Sequence, residues 1–133
     1  MTNARLSDPP FVSYGQCILV VEDEMLVAMM LEDMLQDVGY RVIVAGRVAK
    51  AIDIAANAAI DCAILDVNLD GETSYPVADE LRRRGIPFFF STGYSPENLR
   101  VDYLGSPFLS KPCSPEDVEQ AVRRSIAAHP VMM

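Results

Sequence analysis

Glu22, Asp23 and Asp66 each stand where a short apolar run stops. The runs are Cys17-Ile-Leu-Val-Val21 and Ala63-Ile-Leu65, and aliphatic, β-branched runs of this length read as buried parallel strands. In an open parallel sheet, functional groups gather at the carboxyl ends of the strands. Two such strands side by side hold three carboxylates around one small volume. Carboxylates that close repel one another, so the cluster wants a cation and suits phosphate chemistry.

Two further runs end on polar groups. Ser91-Thr92-Gly93 offers a hydroxyl and a backbone N–H, and Lys111-Pro112 offers an ammonium. Each of these residues also has an ordinary reading alone. Glu22 and Asp23 are good helix N-terminal residues, Asp66 a turn residue, and a lone lysine is usually solvated. Their order carries the information: an acid pair, an acid, a hydroxyl and a lysine, each closing a strand.

The elements that must position these groups alternate along the chain. After the first strand, Leu31, Met34, Leu35 and Val38 follow helical spacing, with Gly39 as a stop. Arg41–Ala45 reads as the second strand, Val48, Ala51, Ile52 and Ala55 as the face of the second helix, and Cys62–Leu65 as the third strand. A loop rich in Gly and Ser leads to a helix over Pro76–Arg84, where Pro76 suits the first turn and Arg82-Arg-Arg84 the negative end of the dipole. Ile86–Phe90 reads as the fourth strand, Pro96–Arg100 as a weak, partly ordered helix and Pro107–Ser110 as a short fifth strand. Ser114-Pro-Glu-Asp117 is a capping box opening the last helix. Five βα units with right-handed crossovers make an α/β fold, a doubly wound five-stranded parallel sheet. Periodicity does not give the strand order.

The bulk numbers bound the rest. A chain of 133 residues suits one domain. Eleven basic residues against nineteen acidic ones give a net charge of −8, which argues against nucleic acid or an anionic membrane as partner. No run approaches the length of a membrane span, and the first fifteen residues, with Pro9-Pro10, read as a loose arm. Cys17, Cys62 and Cys113 have no paired spacing, which argues against a disulfide scaffold or zinc site and suits a reducing cytoplasm. His129, the only histidine, lies in the tail 129–133, and Arg123-Arg124 reads as a solvated helix end.

The segments Ile18-Leu-Val-Val-Glu-Asp-Glu24, Ala63-Ile-Leu-Asp-Val-Asn68, Phe90-Ser-Thr-Gly93 and Phe108-Leu-Ser-Lys-Pro112 resemble the receiver domain of two-component response regulators, over residues 16 to 127. The resemblance implies a flavodoxin-like (βα)5 sheet of order 2-1-3-4-5, the arrangement for which a receiver protein is a standard illustration, and a receiver domain over 16–128. It implies that Asp66 accepts a phosphoryl group from a phosphohistidine on a sensor histidine kinase or phosphotransfer protein. Mg²⁺ would be held by Asp23 and Asp66, with Glu22 nearby and the Asn68 carbonyl completing the site. Lys111, the Thr92 hydroxyl and the Gly93 N–H would stabilise the phosphoryl oxygens. Phe108, three residues before Lys111, stands where the family has a switch aromatic that repacks inward.

Some segments depart from the common pattern. The loop Asp66-Val-Asn-Leu-Asp-Gly-Glu-Thr-Ser-Tyr-Pro76 lacks an early Pro, and Gly93 and Tyr94 follow the switch hydroxyl where Ala is usual. Pro87-Phe-Phe-Phe-Ser-Thr-Gly-Tyr94 resembles a stand-alone alphaproteobacterial subgroup with a Pro-Phe-x-Phe-Ala/Ser-Thr-Gly-Tyr motif. That likeness implies a kinase of the HWE or a related type and makes Tyr94 a second candidate for the moving aromatic. The chain ends soon after the fifth helical pattern, so the expectation is a receiver without an output domain. It would serve as a phosphorelay or phosphate sink, or as a phosphorylation-gated switch for a downstream protein, catalysing only its own modification. Two readings compete. A haloacid-dehalogenase-like phosphatase needs an acid two residues after its nucleophile, where this chain has Asn68. A phosphate-independent interaction module has no need of Asp23, Asp66, Thr92 and Lys111 together.

Overall fold

Side chains alternate across a strand, so a strand that is apolar at every position must be covered on both faces. The computed structural model, which describes residues 15–93, 99–111 and 114–128, shows that arrangement. Its elements are β1 (Cys17–Val21), α1 (Met25–Asp37), β2 (Arg41–Ala45), α2 (Val48–Asn57), β3 (Cys62–Asp66), β4 (Asn68–Leu69), β5 (Glu72–Thr73), α3 (Tyr75–Arg84), β6 (Phe88–Thr92), one 3-10 turn (Val101–Tyr103), β7 (Phe108–Ser110) and α4 (Pro115–Ala128). Five strands pair in parallel in the order β2-β1-β3-β6-β7. With the small β4–β5 pair set aside, this is the expected 2-1-3-4-5, and the doubly wound, flavodoxin-like class is borne out.

One face of the sheet, with Leu19, Val21, Ala63, Leu65 and Phe90, meets α2 and α3 through Ala51, Ala55, Val77, Ala78 and Leu81. The other, with Ile18, Val20, Ile64 and Phe89, meets α1 and α4 through Leu31, Leu35, Val118 and Val122. Cys17 and Cys62 are buried in this packing, and burial pushes the Cys62 thiol up to about 12, which leaves it an inert core residue. Cys113 and His129 lie outside the described residues.

Local chemistry sets the helix ends. The Ser114 hydroxyl accepts from the Asp117 N–H at 3.1 Å and the Asp117 carboxylate accepts from the Ser114 N–H at 3.3 Å, closing the expected capping box on α4. At the end of α3, Gly85 takes φ 72°, the Gly85 N–H bonds to Arg82 and the Ile86 N–H reaches back to Leu81, a Schellman closure. The three arginines expected to complement the α3 dipole divide their work. Arg83 pairs with Glu80, Arg84 donates to the Ala55 and Ala58 carbonyls at the end of α2, and Arg82 reaches Asp102.

Three expectations are corrected. The fourth strand is β6, starting at Phe88 rather than Ile86, because the Ile86 N–H is spent on closing α3 and Pro87 has no N–H to give. The loop after Asp66 contains a hairpin, β4–β5, whose turn residues Asp70 and Gly71 take φ 51° and 88°. That is the twist favoured for Asp-Gly hairpins. Of the weak helix expected at Pro96–Arg100, residues 96–98 lie outside the described residues, and Leu99 and Arg100 precede the 3-10 turn without being helical.

Candidate functional site

The strand register brings the candidate residues to one end of the sheet. Val21 pairs with Leu65, so Glu22 and Asp66 leave adjacent strands at the same level, and Asp66 pairs with Ser91. Thr92 pairs with Ser110, and its carbonyl accepts from the Lys111 N–H at 2.8 Å. Four strand ends therefore converge.

Three of the acids meet. Glu22, Asp23 and Asp66 each offer a carboxylate oxygen, and these oxygens lie within 4.8 Å of one another. The Lys111 ammonium straddles two of them, donating to Glu22 Oε1 at 3.0 Å and to Asp66 Oδ2 at 3.1 Å. Asp66 Oδ1 accepts from the Asn68 N–H at a long 3.4 Å, and Glu22 Oε2 from the Glu24 N–H at 3.1 Å. Neither Glu22 nor Asp23 caps α1, since its cap position is Glu24 and makes no side-chain cap bond. The bland reading of the acid pair thus loses its main support.

Burial grades the three carboxylates. The Glu22 side chain is 3% exposed, Asp66 13%, and Asp23 stands in solvent. Burial pushes the Glu22 carboxyl above its ordinary range, against the pull of Lys111 and the Glu24 N–H. Burial works to lower the Lys111 ammonium, but its bonds to Glu22 and Asp66 outweigh that and hold it above its ordinary value. Three hard oxygen donors within 4.8 Å of one another fit a small divalent cation, which prefers a few carboxylates completed by water and phosphate oxygens. Asn68 is exposed at the rim, at the start of the hairpin.

The remaining candidates fall on the switch side. Thr92 is buried at the end of β6, followed by exposed Gly93. A Cβ added at Gly93 would meet nothing within 4 Å, so the space around it does not demand glycine. Phe108 pairs in register with Phe90 and is half-buried against the α2–α3 side of the core. Tyr94 lies outside the described residues.

Two features escape sequence reasoning. A cavity of about 490 Å³ opens beside β7, floored by Pro87, Phe88, Pro107 and Phe108. An aromatic cluster of Tyr75, Phe88, Phe90 and Tyr103 fills the space between α3 and β6. The run of three phenylalanines hinted at the second, but Tyr103 sits in a loop where no periodicity marks it. Met25, Leu26, Met29 and Met30 are also exposed on α1, off the stripe that defined the helix. Among the described residues, no helix is long and apolar enough to cross a membrane.

Comparison with known proteins agrees with this geometry. The response regulator receiver domain family matches residues 18–123. The transcriptional regulatory protein PdtaR of Mycobacterium tuberculosis is 30% identical over 115 residues, 83% of this chain and 56% of that protein. An uncharacterized transcriptional regulatory protein of Bacillus subtilis, YbdJ, is 29% identical over 86% of this chain and 52% of its own length. The chain thus spans about half the length of the curated relatives it matches. Among solved structures, SdrG of Sphingomonas melonis Fr1 is 42% identical, with 84% of this chain and 98% of that one covered at a TM-score of 0.70. The receiver domain of the sensor histidine kinase PA1611 of Pseudomonas aeruginosa PAO1, described with a magnesium ion coordinated in its active-site cleft, is 26% identical, with 85% and 98% covered at a TM-score of 0.74. The chain belongs to the response regulator receiver domain family.

Proposed function

We propose, for this member of the receiver family, that Asp66 accepts a phosphoryl group from a phosphohistidine on a sensor histidine kinase or phosphotransfer protein. The observation that carries this reading is the Lys111 ammonium held 3.1 Å from Asp66 Oδ2 beside two further carboxylates. Bound by Glu22, Asp23, Asp66 and the Asn68 carbonyl, Mg²⁺ would offset negative charge on the phosphoryl oxygens. An Asp66 oxygen attacks phosphorus in line, the bond from phosphorus to the histidine nitrogen breaks, and the nitrogen keeps the electron pair. Lys111 steadies the equatorial oxygens, and the Thr92 hydroxyl and Gly93 N–H close on them from the end of β6; stabilising that spread charge is most of the catalysis.

The added charge of about −1.5 to −2 then draws Thr92 inward, and Phe108 or Tyr94 is the aromatic that follows. The protein acts on no other substrate. It works as a relay or phosphate sink, in preference to a phosphorylation-gated switch for a downstream protein. The motif ending in Tyr94 favours the alphaproteobacterial subgroup and an HWE-type kinase partner. The net charge of −8 disfavours direct contact with nucleic acid, and a reducing cytoplasm suits the buried thiols.

Acetyl phosphate and Mg²⁺ test the reading. Intact mass should show one labile phosphoryl adduct on the wild type, lost on Asp66→Asn and lost when EDTA removes the metal. No adduct on the wild type, or an equal one on Asp66→Asn, overturns it.

A further inference from the structure

Tyr103 is fully buried although it lies in a connection rather than in a strand or a long helix. Its ring stacks on Tyr75 of α3 at 5.8 Å and 6°, and meets Phe88 and Phe90 of β6 edge-on at 5.8 and 5.5 Å. Its hydroxyl donates to Asp79 Oδ1 of α3 at 2.7 Å. The same oxygen accepts from Arg100 Nη2 at 2.7 Å, and the Arg100 N–H donates to the Tyr75 hydroxyl at 2.8 Å. Arg82 covers the Tyr103 ring, its guanidinium carbon 4.1 Å from the centroid, and donates to the Asp102 carbonyl at 2.9 Å. Residues 100–103 are thereby clasped to α3 by backbone, hydrogen bonds and ring faces together.

The clasp bears on the strand that carries the switch hydroxyl. By alternation, Phe88, Phe90 and Thr92 share one face of β6, and Tyr103 packs on the two rungs that precede Thr92. Phe108, paired with Phe90, belongs to the same face. Tyr103 is thus part of the core cluster against which Phe108 packs. Only five residues separate Gly93 from Leu99, so Thr92 and the clasp lie close to the two ends of one short connection.

We propose that Tyr103 and Asp79 are positioning residues that hold β6 and its Thr92–Gly93 end in the resting arrangement, and so oppose phosphoryl acceptance at Asp66. The proposal rests on the phosphoacceptor reading above. Contacts present in the resting state and lost in the phosphorylated one shift the balance by their own strength. Releasing them makes acceptance easier, which a purely structural role would not do.

The test uses the full chain. Tyr103→Phe keeps the ring and removes the bond to Asp79; Asp79→Ala removes that bond and the pairing with Arg100. The readouts are the initial rate of adduct formation from acetyl phosphate with Mg²⁺, and the affinity for beryllofluoride, a phosphoryl mimic. Each variant should gain about threefold to tenfold in both, the weight of one hydrogen bond of ordinary net strength, while the affinity for Mg²⁺ alone stays as in the wild type. Tyr103→Phe should add little on top of Asp79→Ala, because both remove the same bond. Equal or slower acceptance by both variants, with the wild type forming its adduct, overturns this proposal and leaves the phosphoacceptor reading standing. An adduct on neither the wild type nor Tyr103→Phe removes both.

Discussion

The strand-end site and the Tyr103 clasp are both built from carboxylates and cations, yet one is electrostatically unfinished and the other complete. At the strand ends, three carboxylates crowd together and one ammonium bridges two of them. In the clasp, Asp79 and Asp102 face Arg82 and Arg100, and the guanidiniums lie on aromatic rings. A surplus of like charge is tolerated where a cation or a phosphoryl group completes it. Balanced charge over buried rings completes itself, and serves to hold a loop. The first arrangement is suited to a ligand and the second to a conformation.

If that contrast is right, the two regions fail differently. Lys111→Met takes away the one ammonium beside Asp66, and should slow adduct formation from acetyl phosphate by roughly 100-fold or more, the scale seen when a positioned charge-stabilising donor is lost. Urea unfolding in Mg²⁺ should change far less, since the bound cation then answers the carboxylates. A large fall in the unfolding midpoint with near-normal acceptance would make the strand-end cluster a structural ion pair.

These two regions also differ in how far the sequence reveals them. The site is legible because strand ends can be read from apolar runs, and because parallel pairing brings those ends to the same level. That Asp66 and Ser91 stand on adjacent strands follows from the strand order, which the family resemblance implies and periodicity does not. What could not be read was the division between Glu22, deeply buried, and Asp23, exposed, which depends on the turn into α1. The hairpin after Asp66 was available in Asp70-Gly71, but a Gly- and Ser-rich stretch looks like loop until the turn angles are known. The late start of β6 follows from a bond between Ile86 and Leu81 that periodicity does not show. The clasp was invisible for a stronger reason. Asp79 and Arg82 lie on a helix that the sequence marks, but Arg100 and Tyr103 come from a connection with no pattern of its own. Only the packing of α3 and β6 around Tyr103 brings the four together.

The opposite failure is expected at Tyr103. Tyr103→Ala removes a fully buried ring with three aromatic neighbours and one hydrogen bond. The loss should be about 3–5 kcal/mol by urea unfolding, the range for emptying a large aromatic site. Acceptance measured well below the unfolding midpoint should survive. A cost under about 1 kcal/mol would mean that the neighbouring rings collapse into the space, and that the clasp holds by its charges alone.

Acid should loosen the clasp by a smaller amount, and the sign follows from Asp79. Burial works to raise its carboxyl, but the Tyr103 hydroxyl and Arg100 outweigh that and hold it below its ordinary value, with Asp102 a minor opposing charge. A carboxyl depressed in the folded state contributes stability that is complete above its unfolded value, near pH 4, and is lost as pH falls through the depressed one. The stability difference between wild type and Asp79→Asn should therefore be flat from about pH 7 to about pH 5 and shrink below about pH 4. The Asp79 side chain is 48% exposed, so solvent screens the pair and the difference should stay within about 1 kcal/mol. Unfolding curves of the two proteins across that range decide it. A difference that grows on acidification would mean that Asp79 is held protonated, and that burial outweighs the bonds from Tyr103 and Arg100.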